Sequence, residues 1–226
     1  MANYIYITLD TTAPSNPVIN IAGGAVFTTA QIVNLSISVD DVDKQGYQML
    51  IWGDVDLAYD ANVKSREEDS LWQTYNSNPQ IKLSAGDGEK TINIRVRDDV
   101  HNASAIAVDK ISMDTSLPTV TVTKSDVNKI SRINGKDTFS FTFSVDEAFS
   151  EYKVKLVGSI GATENTGTTI PTTGGSTNTS GTGNFESGQV ITVTIKGNDL
   201  ISSGASTDGQ KIVKVFVRDL SSQWSV

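Results

Sequence analysis

Apolar and polar residues alternate strictly in two stretches of the first half of the chain. Leu35, Ile37 and Val39 are spaced by Ser36 and Ser38, and Ile92, Ile94 and Val96 are spaced by Asn93 and Arg95. A period of two puts successive side chains on opposite faces, which predicts strands with one buried and one wet side. The pattern recurs in the second half as Phe141, Phe143 and Val145, and again as Val213, Val215 and Val217. These twelve residues are the expected core. Helical periodicity is hard to find: Val63 to Trp72, with its surface run Arg66-Glu67-Glu68-Asp69, predicts a turn or short helix at most. Many short strands separated by Gly, Pro, Asn and Asp predict an all-β chain built as two-sheet sandwiches.

The chain also repeats itself. Ile7-Thr8-Leu9-Asp10-Thr11-Thr12-Ala13-Pro14 matches Ile111-Ser112-Met113-Asp114-Thr115-Ser116-Leu117-Pro118 at an offset of 104 (114 minus 10). Leu35 to Asp41 matches Phe141 to Glu147 at 106 (146 minus 40), and Gly88 to Asp98 matches Gly209 to Asp219 at 121 (219 minus 98). A repeat of this length is one domain each, so two tandem sandwich domains are expected, 1–114 and 115–226. Leu117-Pro118 forces an extended backbone where the repeat restarts. The growing offset places an insertion in the second copy near 158–188, where Gly, Thr, Ser and Asn dominate and predict a long, polar, mobile loop. Such a loop is a candidate receptor-contacting tip, although it lacks the Trp, Arg and Tyr that usually anchor interfaces.

Composition narrows the function classes. A formal net charge of -8 disfavours a nucleic-acid binder, which needs a clustered basic face, and a membrane-surface role for the same reason. With no cysteine, disulfides, thiolate nucleophiles and cysteine-ligated metals are excluded, while the redox compartment stays open. No apolar stretch approaches the ~20 residues of a membrane span, so no membrane insertion is expected. Met1 to Tyr6 runs into a strand-like pattern without the basic and apolar regions of a leader, so the chain is expected to fold without passing a secretion channel.

Candidate chemistry is sparse. His101, the single histidine, follows Arg97-Asp98-Asp99-Val100 where a turn is expected, and no Gly-x-Ser-x-Gly nucleophile pattern accompanies it. It is therefore expected as an exposed turn residue of a chain that is not an enzyme. Carboxylates cluster at Asp40, Asp41 and Asp43, at Asp54, Asp56 and Asp60, at Asp98 and Asp99, and at the linker residues Asp10 and Asp114. Oxygen ligands brought together at a loop end of a sandwich or at the domain junction suit calcium, which makes Asp40, Asp41, Asp98, Asp99 and Asp114 the candidate ligands. The competing assignment is solvated turn residues, since Asp bonds its local backbone and no EF-hand spacing is present. Arg97-Asp98 and Arg218-Asp219 recur and predict a strand-end ion pair or turn cap. Trp52 is expected in the core or at its edge, whereas Trp72 is the better candidate for an exposed, sugar-stacking ring.

The first half resembles an immunoglobulin-like repeat of bacterial surface proteins and bacteriophage virion proteins. The residues that carry the resemblance are Asp10-Thr11-Thr12-Ala13-Pro14, Met49-Leu50-Ile51-Trp52, Trp72-Gln73-Thr74-Tyr75, and Leu83 to Thr91 leading into Ile92 to Asp98, with Asn102-Ala103-Ser104 closing. The second half keeps its opening, Ser144-Val145-Asp146, and Gly209 to Asp219. The resemblance implies a non-enzymatic virion component such as a tail, baseplate, neck or capsid-decoration protein, folded in the host cytoplasm. Its implied partners are other virion proteins, copies of itself and a host-surface glycan. The alternatives are a fragment of a bacterial cell-surface adhesin and a carbohydrate-binding module of a secreted enzyme.

The repeat leaves one mismatch. The first unit continues past Asp98 to Met113 in what reads as its closing strand, while only seven residues follow Asp219. Tyr4 to Leu9 resembles a closing strand with no sandwich before it. The expectation that follows is completion of the second unit by this strand from a neighbouring subunit, or by another virion protein; the competing assignment of Tyr4 to Leu9 is an ordinary first strand.

Overall fold

The computed structural model describes residues 5–124 and 129–226, and the chain divides into two compact units between Thr115 and Ser116. Unit one contains β1 (Val18–Ile21), β2 (Phe27–Thr28), β3 (Ile32–Ser38), β4 (Gln48–Gly53), β5 (Gln73–Thr74), β6 (Gln80–Lys82), β7 (Gly88–Arg97) and β8 (Ala107–Met113). One sheet has the order β1-β3-β6 and the other β2-β8-β7-β4-β5. Pairing is antiparallel except for the short parallel contact of β2 with β8. The inward residues of both sheets form one apolar cluster in which Leu35, Ile37, Val39, Ile92, Ile94 and Val96 are all buried. Alternation therefore locates the inner face of β3 and β7 correctly.

Strand β4 breaks the alternation because both of its faces are covered. Met49 and Ile51 enter the inter-sheet core, while Leu50 and Trp52 are buried outside that cluster. A 3₁₀ turn, Glu67–Asp69, packs against β4, and Trp52 forms a bridge with Lys64. Trp52 is thus a buried residue of the outer face, not a member of the central core. A run of apolar residues is what a strand covered on both sides requires. Gly53 ends the run at φ 139°, and a Cβ there would lie 2.2 Å from the carbonyl oxygen of Thr91. No other residue permits that approach.

Unit two contains β9 (Val120–Lys124), β10 (Thr138–Val145), β11 (Phe149–Val157), β12 (Thr168–Thr169), β13 (Ser180–Phe185), β14 (Ile191–Lys196), a six-residue helix α1 (Gly197–Ser202) and β15 (Ile212–Asp219). One sheet has the order β14-β10-β9; in the other, β11 pairs with β15 along one edge and with β12 and β13 along the other. Phe141, Phe143, Val145, Val215 and Val217 are buried as the alternation predicts, whereas Val213 is half-buried. Phe143 meets Tyr152 edge-on at 5.2 Å, and Phe149 stacks on Phe185 at 4.6 Å. Both units are immunoglobulin-like β-sandwiches in tandem.

The insertion departs from the expected long loop. Thr168–Thr169 and Ser180–Phe185 pair with β11, Ile170 is fully buried in the core cluster, and Phe185 packs on that cluster. Two apolar residues in a polar stretch are enough to tie it to the sheet. Gly181 lets Tyr152 lie against β13, since a Cβ would sit 2.5 Å from the ring. A second tie is Asp199, a buried residue of α1. Its Oδ1 accepts the Gly174 N–H at 2.6 Å and its Oδ2 the Ser176 N–H at 2.8 Å. Burial alone raises this carboxyl, but hydrogen bonds from Ser176, Gly174 and Thr173 outweigh it and hold the group below the usual carboxylate range.

Two outcomes are expected. Ile94→Ala and Phe143→Ala each cost about 2–5 kcal/mol in denaturant unfolding, with the loss confined to the unit that carries the substitution. For Asp199 the folded pKa is depressed, so its stabilisation is complete above the unfolded value of about 3.9 and disappears as pH falls through the folded value. Asp199→Asn is therefore expected to lower the melting temperature of unit two at neutral pH and to flatten its dependence on pH below about 4, read by calorimetric melts across acid pH.

Candidate functional site

The carboxylates expected as calcium ligands go to two ends of unit one. Asp40 and Asp41 follow β3, Asp98 and Asp99 follow β7, and Asp10 joins them. Tyr47 marks this end: burial first, then the charges of Asp41, Asp98, Asp10 and Asp99, push its phenol above the usual range. Asp114 follows β8 at the opposite end, where its N–H donates to the Thr28 carbonyl at 2.9 Å. No three of Asp40, Asp41, Asp98, Asp99 and Asp114 bring carboxylate oxygens within 4.8 Å of one another.

Most of these side chains are engaged with nearby backbone. Asp98 is buried; its Oδ1 accepts the N–H groups of Val100 and Asn102 at 3.0 and 2.8 Å, and its Oδ2 accepts Asn102 Nδ2 at 2.8 Å. Asp40 accepts from Asn16 Nδ2, and Asp54 accepts the Thr91 N–H at 2.8 Å. Asp43 and Asp60 each accept an N–H two residues on, the local bond that makes Asp a turn former. Asp56 is held below the usual carboxylate range chiefly by its hydrogen bond from Lys82, 2.7 Å away. Asp41 Oδ2 is buried and accepts no hydrogen bond among the described residues.

The recurrent Arg-Asp pairs divide their labour. Asp219 repeats the role of Asp98, its Oδ1 accepting the Gln223 N–H and the Ser221 hydroxyl, both at 2.8 Å. Neither arginine pairs with its neighbouring aspartate. Arg97 donates to Gln48 Oε1 at 2.7 Å and lies 4.3 Å over the Trp72 ring, while Arg218 pairs with Glu151 at 2.8 Å and lies 5.7 Å from the Trp224 ring. One face of Trp72 is therefore covered by a guanidinium. His101 is exposed in the turn after β7 with φ 72°, and its N–H donates to the Asp98 carbonyl at 3.2 Å.

The densest charge group lies in unit two, on the outer face of β11. Lys153 contacts Glu164 at 2.8 Å and Glu151 at 3.3 Å, and Lys155, nearly buried, donates to the Glu164 carbonyl. The hydrogen bond from Lys153 to Glu164 raises the lysine pKa against the opposing effect of burial. A lysine held protonated in this way is a fixed charge and a poor general base. A shallow pocket of about 320 Å³ adjoins it, lined by Tyr152, Lys153, Thr169 and Thr182 among others. Sequence reasoning missed this group because Glu164 comes from the insertion, and only the pairing of β11 brings it to Lys153. Among the described residues, no helix is long and apolar enough to cross a membrane.

No family model matches the chain, and no curated protein matches it. Among solved structures it is similar to the fibronectin(III)-like modules of Clostridium thermocellum CbhA, with 13% identity, a TM-score of 0.43, and coverage of 92% of this chain and 89% of that one. A chitinase from Bacillus thuringiensis aligns at 17% identity and a TM-score of 0.30, over 92% of this chain but only 30% of its own. The D00-D0 domain of intimin aligns at 14% identity and a TM-score of 0.36, covering 92% of this chain and 95% of that one.

Proposed function

We propose that the chain is a non-enzymatic structural component of a bacteriophage virion, such as a tail, baseplate, neck or capsid-decoration protein, whose sandwich surfaces and edges make assembly contacts. The observation that carries this reading is how the polar side chains are employed. Asp98 and Asp219 close turns, Asp199 ties the insertion to α1, and Lys153, Glu151, Glu164 and Arg218 neutralise one another across β11. Groups committed to holding the fold leave flat surfaces and sheet edges as the means of action. The resemblance of Asp10 to Pro14 and of Leu83 to Asp98 to repeats of virion and bacterial surface proteins supports the setting.

The test is to locate the protein by mass spectrometry and electron microscopy of purified phage particles. A stoichiometric virion protein with density for paired sandwiches is expected; recovery only from bacterial envelope fractions overturns the virion setting. Glycosidase, esterase and protease assays are expected to stay at background. A robust activity abolished by one carboxylate substitution overturns the non-enzymatic part.

A further inference from the structure

The two units differ along one strand edge. In unit one β8 covers the outer edge of β7, with Gly88 opposite Met113 and Ile94 opposite Ala107, and it turns Ile111 and Met113 into the core. β15 is the counterpart of β7. Ser225 Oγ accepts the Val217 N–H as Ser104 Oγ accepts the Val96 N–H, an offset of 121 (217 minus 96). Beyond its pairing with β11, and among the described residues, β15 forms only the bridge from Arg218 to Trp224.

Burial records the difference. Ile92 is fully buried, but its counterpart Val213 is half-buried. Ile19, opposite Ile37, is 5% exposed, whereas Val122, opposite Phe143, is 52% exposed. A groove of about 310 Å³ runs here, lined by Leu117, Val120, Val122, Val213 and Val215 among others.

The chain carries a second copy of the strand that fills this place in unit one. Ile7 and Leu9 correspond to the inward-facing Ile111 and Met113 at the offset of 104 (111 minus 7). Yet residues 5–9 belong to no strand, and Ile5, Ile7 and Leu9 are 82%, 85% and 85% exposed. Ile7 and Leu9 cannot take the equivalent place in their own unit one, where β8 already occupies the edge of β7. Apolar side chains at alternate positions of an extended segment, together with an unpaired sheet edge, are the two halves of a β-augmentation contact.

We propose that the groove beside β15 receives residues 5–9 of a second copy of this chain as an antiparallel closing strand. The register of β7 with β8 transfers directly: Leu9 lies opposite Gly209, Ile7 opposite Lys211 and Ile5 opposite Val213. Ile7 and Leu9 enter the core of unit two over Val213 and Val122. A clasp also transfers. Thr115 donates its N–H and hydroxyl to Asp87 Oδ1 at 3.0 and 2.8 Å, and the corresponding residues are Thr11 and the exposed Asp208 (208 minus 121 is 87).

Sedimentation of the full chain over a range of concentrations tests the proposal. The wild-type chain is expected to self-associate, and Ile7→Asp with Leu9→Asp to raise the dissociation constant by about a hundredfold or more. Because both residues are exposed, the double variant is expected to keep the melting transition of unit one. A synthetic peptide of residues 4–12 added to this variant is expected to raise the melting temperature of unit two. Thr8→Cys combined with Gln210→Cys, in a chain with no other cysteine, is expected to give a ladder of disulfide-linked oligomers on oxidation. A wild-type chain that stays monomeric, a double variant that associates like wild type, a peptide without effect, or a disulfide formed only within single chains each overturns the proposal.

Discussion

A strand inside a sheet has two rows of backbone donors and acceptors, and both must find partners for its inward side chains to stay dry. In each sandwich this constraint is clearest at one strand, β7 in unit one and β15 in unit two, which hold equivalent places and turn Val96 and Val217 into their cores. Unit one meets it on both sides, with β4 along one edge and β8 along the other. Among the described residues, unit two meets it with β11 and the single bridge from Arg218 to Trp224. The graded burial from Val217 to Val213, the exposure of Val122 and the apolar groove between them are all consequences of that single difference.

Charge is spent on shape. Asp98 and Asp219 sit at the same place in the two units, each accepting backbone N–H groups of the turn that follows the long strand. Buried carboxylates are tolerable only when such donors replace water. Asp199 follows the same logic elsewhere, gathering donors from a polar insertion that has few apolar residues with which to dock. The arginines next to Asp98 and Asp219 are held by side chains of neighbouring strands, so each Arg-Asp pair works as two separate fasteners on opposite faces of one strand.

Sequence periodicity made the strands and the two units legible because strand side chains follow a fixed period of two and the repeat displays it twice. It misled where coverage was not one-sided. Met49 to Trp52 is apolar throughout because β4 is covered on both faces, so the position of Trp52 depended on the segment around Glu67–Asp69. The insertion looked like a loop because its composition is polar, yet Ile170 and Phe185 decide where it docks. Sequence identified the acidic residues of unit one as a group, and Asp10, Asp41, Asp98 and Asp99 do share one end around Tyr47. It had no means of showing that Asp114 lies at the other end, nor of pairing Glu164 with Lys153, since both depend on strand direction and register.

The open edge of β15 and the exposed segment at residues 5–9 are different surfaces, one concave and one extended. A contact between unlike surfaces leaves one of each unused at the two extremities of an open assembly, and it closes only where geometry brings those extremities together, as in a reciprocal dimer or a ring. Growth by this contact has a direction, and its length is set by geometry that closes a ring or by a terminating component that supplies only one of the two halves. If the proposed joint forms an open array, that array needs a starter and a stopper, and the core of unit two would be completed by its neighbour.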